Sequence, residues 1–276
     1  MTRNNSVLVC PRNDEESLLI IKIAKAIGLR MVISNQGHGA KLELEQDLIN
    51  RIKDEDQNVR NVVIVEIPGV KVEEELRASG IEVHIIDHHR YDDLDRLSNK
   101  SSLEQFLEIF EISDEELKQH GFDTMLVQAV AANDRGFLWE LQKIGLSNED
   151  QDRAVRYIKE LVYELGSKNR KAEEDQARKA WEGRRKQGDF LIIESDNDEI
   201  DIRDAVSYLI FDEFKKPTPT IIRQGNHKLY VQETDQAQLL IEKYGGFLFG
   251  SGRCWGIVAS RDGGLPEVGE IIEILR

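Results

Sequence analysis

Cysteine is scarce in this 276-residue chain, which carries only Cys10 and Cys254. The two stand too far apart in sequence to form a paired metal-ligand motif, and they cannot build a disulfide framework, so each is read as a separate thiol. Long apolar runs are also missing. The longest, around residues 18–27 and 122–132, fall short of the roughly 20 residues a membrane span needs. The first residues offer neither the longer apolar stretch nor the small-residue cleavage site of a signal peptide. The expectation is a cytoplasmic protein with no membrane partner. Positive charge is in deficit, 37 Lys and Arg against 52 Asp and Glu, for a formal net charge of −15. That balance opposes broad attachment to a polyanion, so long duplex nucleic acid is not expected as a partner and any phosphate ligand needs local cations. There is no internal repeat and no low-complexity tract.

What is present is an ordinary globular composition, 40% apolar and 32% charged, in a chain long enough for two domains. Short β-branched runs at residues 6–10, 30–34, 61–67 and 81–86 alternate with helical patterns at 14–28, 44–53 and 72–80. This is the βαβ rhythm of a parallel sheet, whose buried strands need nearly continuous apolar runs such as Val62-Val63-Ile64-Val65. Helical patterns dominate from residue 101 to 165. Residues 168–186, with eight Lys/Arg and four Asp/Glu, have the composition of a solvated bridging helix. Beyond them strand and helix patterns resume, with a strand pair at 220–223 and 228–232 turning at Gly225-Asn226. The fold class expected is α/β: a doubly wound, mainly parallel sheet over residues 1–150, a helical linker over 151–187, and a smaller α/β unit over 188–276.

In a doubly wound sheet, ligands sit beyond the carboxyl ends of the strands. There the fourth strand ends in Asp87-His88-His89, three residues of metal-ligand and acid–base type. The third strand ends in Glu66, and the first runs from Cys10 into Asp14, Glu16 and Ser17. A further carboxylate, Asp134, closes a helical pattern before Gly136. Each has a plain alternative: Asp14 as a helix cap, Glu16 as a first-turn acid, Asp134 as a loop residue, Cys10 as a buried thiol. Taken together they suggest oxygen and nitrogen ligands converging on divalent ions that would bridge a phosphoryl group and stabilise its developing charge.

In this order the motifs resemble those of the DHH phosphoesterase superfamily. Asp87-His88-His89 matches the name-giving motif, Ser101-Ser102-Leu103-Glu104 resembles the Ser-Ser-x-x-Glu helix after it, and Asp134-Arg135-Gly136 resembles the Asp-Thr-Gly element. The family's His-x-x-x-Asp-x-Asp motif falls on Cys10, Asp14 and Glu16, so two of its positions are substituted, and Glu66 stands where the family has aspartate. The resemblance implies that Cys10 and Asp14 serve one metal and that Glu16, His88 and Asp134 serve another, with Glu66 bridging. It also implies that His89 faces the phosphate and that Asp87 orients His88 or the reacting water. Manganese is the metal implied first, with magnesium, zinc or iron as alternatives. The C-terminal unit resembles a DHHA1-type substrate domain, in which Gly250-Ser251-Gly252-Arg253 would stand for a Gly-Gly-Gly-His run and Arg253 would supply a phosphate-binding cation.

The function expected is metal-dependent hydrolysis of phosphodiester or phosphoanhydride bonds in a cleft between two lobes. Its partner would be a small phosphorylated substrate, a dinucleotide or a short single-stranded oligonucleotide, with a homodimer as a possible assembly. The other reading is a degenerate, non-catalytic member that binds a nucleotide, a phosphate ligand or a protein.

Overall fold

The computed structural model describes residues 1–37, 39–89, 91, 94–166, 169–250, 252–259 and 264–276. The chain divides into two units, residues 1–135 with 140–166, and residues 136–139 with 167–276.

The first unit is built on four strands, β1 (Ser6–Pro11), β2 (Arg30–Ser34), β3 (Asn61–Val65) and β4 (Glu82–Ile86), in the order β2-β1-β3-β4. Every pairing among them is parallel. Because side chains alternate along a strand, the apolar runs of β1 and β3 feed two cores at once. Leu8, Cys10, Val63 and Val65 face a core closed by α1 (Glu15–Ala26), α4 (Ser102–Ile109), α5 (Asp114–Gln119), α6 (Thr124–Gly136) and α8 (Asn148–Glu164). Val7, Val9, Val62 and Ile64 face the other, closed by α2 (Leu48–Glu55) and α3 (Val70–Ala78). The sheet is thus doubly wound, as its periodicity predicts. Helix α8 buries Ile158 and Leu161 in the first of these cores. The first half of the segment expected as a linker is therefore an amphipathic core helix of this unit.

The second unit carries α7 (Leu138–Lys143) in part, α9 (Arg170–Glu182), α10 (Arg203–Phe214), α11 (Ala237–Tyr244) and α12 (Val268–Ile274). Its sheet has six strands: β5 (Arg185–Gln187), β6 (Phe190–Ser195), β7 (Thr220–Gln224), β8 (Lys228–Gln232), β9 (Phe247–Phe249) and β10 (Cys254–Val258), in the order β5-β6-β7-β8-β10-β9. Only β6 and β7 run parallel. Helices α11 and α12 close one face over Leu229, Val231 and Trp255. On α9 the polar composition conceals an apolar stripe. Ala177, Ala180 and Trp181 are buried, the Trp181 indole donates to Glu213 of α10 at 3.1 Å, and its ring packs on Phe214 at 6.0 Å between centroids. The Arg184 guanidinium lies 4.5 Å from the centroid of the same ring. The second half of the expected linker is thus packed structure, because one buried face is enough to fix a helix whose other faces are charged.

Candidate metal centre

Asp87, His88 and His89 emerge where β4 ends at Ile86, beside the end of β3, as the topology rule requires. Glu66, the first residue past β3, adopts a left-handed backbone with φ of +50°, while its amide still donates to Ile86 O at 3.0 Å. A non-glycine residue pays roughly 1–3 kcal/mol for that conformation, which persists only where its surroundings over-determine it. Here Ser102 Oγ donates to Glu66 Oε1 at 2.7 Å, and Ser102 is the first residue of α4. The same helix end holds Glu16, whose Oε1 accepts from the Leu103 amide at 2.8 Å. Ser101 caps α4 in a reciprocal box with Glu104, and Glu104 is in turn paired with Arg135. The N-terminus of α4 therefore orients two acids, one from β3 and one from α1, its free amide donors favouring negative charge.

Glu16 from α1, Glu66 after β3, His88 after β4 and Asp134 from α6 bring one ligand atom each to within 4.8 Å of one another. His88 Nε2 lies 2.9 Å from Asp134 Oδ2 and 3.3 Å from Glu66 Oε1. Those separations match the roughly 3–3.4 Å between neighbouring donors around an ion bound at about 2.1 Å. Both His88 Nε2 and Asp134 Oδ2 are buried without a hydrogen-bond partner, so the pair is close but not aligned as donor and acceptor. Buried polar atoms that approach without pairing are costly, and a cation at their point of convergence satisfies them. The donor set, three carboxylates and an imidazole, suits a divalent ion.

The electrostatics agree. Burial disfavours a charged His88 ring, but the Asp134 and Glu66 carboxylates outweigh it and hold its pKa up at about 10. Burial, reinforced by Asp134 and Glu66, pushes the Glu16 carboxyl well above its ordinary range. Both shifts favour the protonated forms in a site short of positive charge, and a bound cation would compete with those protons.

The neighbouring residues have separate tasks. Asp87, nearly inaccessible to solvent, receives the His89 amide at 3.0 Å on Oδ1, with His89 Nδ1 at 3.1 Å from the same oxygen; Tyr91 OH donates to Oδ2 at 3.0 Å. Burial opposes ionisation of Asp87, yet the His89 and Tyr91 hydrogen bonds hold its carboxyl below the ordinary range. In turn the bond to Asp87 raises the His89 pKa. Asp87 therefore orients His89, where the sequence had left His88 as the first alternative. Arg96 stands behind this pair, with Nη1 3.9 Å from Asp87 Oδ2 and a salt bridge to buried Glu73, while Gln105 holds the Asp87 carbonyl at 2.9 Å. Tyr91, Arg96, Ser102 and Gln105 were not legible as functional residues, because their partners lie on other elements. Ser102 alone carried a signal, as part of the Ser-Ser-x-x-Glu pattern.

Cys10 and Asp14 are not brought into the convergent set. Cys10 is fully buried in the core, its thiol directed at Pro11 O (3.4 Å) and Ser17 O (3.8 Å). Asp14 caps α1, its Oδ1 accepting from Ser17 N at 2.8 Å and Ser17 Oγ at 2.6 Å.

In the second unit, Gly250 and Gly252 form the turn between β9 and β10. Gly250 has φ of +55°, and a Cβ there would meet Cys254 Sγ at 2.9 Å, so glycine is needed for both conformation and space. Arg253 is half-exposed and engaged by Glu233 at 3.3 Å and by Asp235. Ser251 lies outside the described residues.

No protein-family model matches the chain, and no curated protein matches it. Among solved structures it is similar to a pGpG-specific phosphodiesterase, PggH from Vibrio cholerae, at 15% identity over 97% of this chain and 96% of that one, with a TM-score of 0.48. It is also similar to exonuclease RecJ bound to manganese, at 12% identity over 92% and 86% of the two chains, TM-score 0.42. A third likeness is to an uncharacterized protein from Helicobacter pylori G27, at 12% identity over 98% of each chain, TM-score 0.39.

Proposed function

We propose that the protein is a divalent-metal-dependent phosphohydrolase acting on phosphodiester or phosphoanhydride bonds of small substrates. The observation that carries this reading is the convergence of Glu16, Glu66, His88 and Asp134 from four separate elements, with His88 Nε2 and Asp134 Oδ2 buried and unaligned. The resemblance of Asp87-His88-His89 and Asp134-Arg135-Gly136 to the DHH superfamily motifs supports it. Those four residues would hold a divalent ion, which would supply Lewis-acid stabilisation of the charge that builds on a phosphoryl group during hydrolysis. The remaining residues orient and protonate. Asp87 engages Nδ1 of the His89 ring, which leaves Nε2 as the atom able to donate to a phosphoryl oxygen or a leaving group. Tyr91 and Arg96 hold Asp87, and Ser102 with the Leu103 amide holds the two glutamates. Arg253, at the head of β10, is assigned to the substrate's phosphate, which competes with Glu233 and Asp235 for the guanidinium. Manganese is the first ion to test.

The second reading, a ligand-binding protein without turnover, is favoured by one observation, the absence of Cys10 and Asp14 from the convergent set. A panel of dinucleotides, short oligonucleotides, cyclic dinucleotides and pyrophosphate, assayed with Mn, Mg, Zn or Fe, separates the two. Metal-dependent product release that His88→Ala abolishes supports the hydrolase. Ligand binding without release under any metal supports the second reading.

A further inference from the structure

The family resemblance implies two ions bridged by Glu66, one of them served by Cys10 and Asp14. The geometry points to a different arrangement: we infer that the site takes a single divalent ion, held by Glu16, Glu66, His88 and Asp134, and that Cys10 and Asp14 have become parts of the scaffold. This inference rests on the reading of the cluster as a metal centre and specifies its stoichiometry.

Three observations support it. Cys10 faces the core from β1, fully buried, with its sulfur 3.4 Å from Pro11 O and 3.8 Å from Ser17 O, either of which can take its one proton. Ligation would take away that proton and turn a thiolate towards carbonyl oxygens, which repel it. Asp14 has its Oδ1 committed to α1. It accepts from the Ser17 amide and lies 2.6 Å from Ser17 Oγ, whose single proton it shares with Asn13 Oδ1 at 2.9 Å, while Asp14 N is 3.3 Å from the same Oγ. The hydrogen bonds of Oδ1 stay within residues 13–17, and Glu66 and Asp134 act on this carboxylate through space only. Last, the described residues give two convergent groups, Glu16-Glu66-His88-Asp134 and Glu66-His88-His89, which share two members. Once Nε2 of His88 serves the first group, only Glu66 and His89 are left for a second ion. With Nδ1 of His89 taken by Asp87 at 3.1 Å, the two residues offer a second ion one carboxylate and one imidazole Nε2, fewer than the three protein ligands such a site needs.

The test is an ion count on the purified full chain. Apo-protein is titrated with Mn²⁺ and, separately, Zn²⁺ by calorimetry, and bound metal is counted by elemental analysis after dialysis. The expected result is one ion per chain in the wild type, in Cys10→Ala and in Asp14→Asn, with affinities within about threefold. The Asn variant keeps a capping oxygen, and Cys10→Ser replaces the alanine variant should the latter unfold. Glu16→Gln and Asp134→Asn are expected to lose tenfold or more in affinity, about the scale on which metal sites respond to altered ligation. Two ions per chain, or a tenfold loss in either Cys10→Ala or Asp14→Asn, overturns the inference and leaves the metal-centre reading standing. No bound ion in the wild type overturns the metal-centre reading and the count with it.

Discussion

At the scale of single residues, the site is organised by hydrogen bonds that cross between elements. Ser102 is the plainest case, a hydroxyl that fixes the carboxylate of a residue already in a left-handed backbone. Ser102→Ala is expected to weaken Mn²⁺ binding about 10–100-fold. Its effect on stability should be small, about 1 kcal/mol for one hydrogen bond. Calorimetric titration alongside thermal melting checks both; an unchanged affinity would mean that Glu66 needs no positioning. A second residue-scale prediction concerns Asp201, which receives Lys228 at 3.2 Å, Tyr230 OH at 3.0 Å and the Arg203 amide at 3.0 Å. Burial opposes its ionisation, but these partners hold its carboxyl below the ordinary 3.8. A depressed folded-state pKa stabilises the fold above the unfolded value and ceases to do so as pH falls through the folded one. The difference in melting temperature between wild type and Asp201→Asn should therefore be largest near neutral pH and shrink below about pH 4. A difference that grows with acid would contradict it.

At this scale the sequence was partly legible. Asp87-His88-His89 at a strand end is rare enough to be noticed, and Asp134 was picked out as the carboxylate that closes a helical pattern before Gly136. Burial of Cys10 and capping by Asp14 stood in the sequence as alternatives to ligation, and choosing between them needs to know which elements cover each side of the sheet.

At the scale of elements, strong periodicity was readable and short or charged elements were not. Strand β3 announces itself through Val62-Val63-Ile64-Val65, whereas β9 has only three residues between glycines and β5 is exposed throughout. Helix α12 escaped notice, at seven residues, because so short a stretch holds fewer than two full turns of pattern. Helix α9 was misread as solvated because its charges outnumber its apolar residues, although Ala177, Ala180 and Trp181 align on one buried stripe. Trp181→Ala is expected to destabilise the second unit by about 3 kcal/mol, the usual cost of deleting a buried large aromatic side chain. Urea unfolding followed by far-ultraviolet circular dichroism measures it; a loss below about 0.5 kcal/mol would return α9 to the status of a surface helix.

For the whole molecule, the charge of −15 bears on which substrates the proposed activity would favour. A chain this acidic gains little from releasing counterions along an extended polyanion, so long strands should be bound weakly and with small salt dependence. The value of kcat/KM for a dinucleotide is accordingly expected to exceed that for a single-stranded 20-mer by about tenfold or more at near-physiological salt. Comparable values, with a steep loss of the 20-mer on adding salt, would reveal a basic track. The doubly wound first unit was legible because buried parallel strands must be apolar on both faces. The mixed sheet of the second was less so, since antiparallel order is set by turns and glycines that several topologies could use.

The central claim is that Glu16, Glu66, His88 and Asp134 hold a divalent ion on which hydrolysis depends. Its most direct test is the initial rate of dinucleotide and pyrophosphate hydrolysis as a function of Mn²⁺ concentration, for wild type and Asp134→Asn at equal folded concentration. The account predicts a saturable, metal-dependent rate that falls about 100-fold or more in the variant, the scale expected when charge stabilisation at a reacting phosphoryl group is lost. A wild-type rate indifferent to metal, or one preserved in Asp134→Asn, would contradict it.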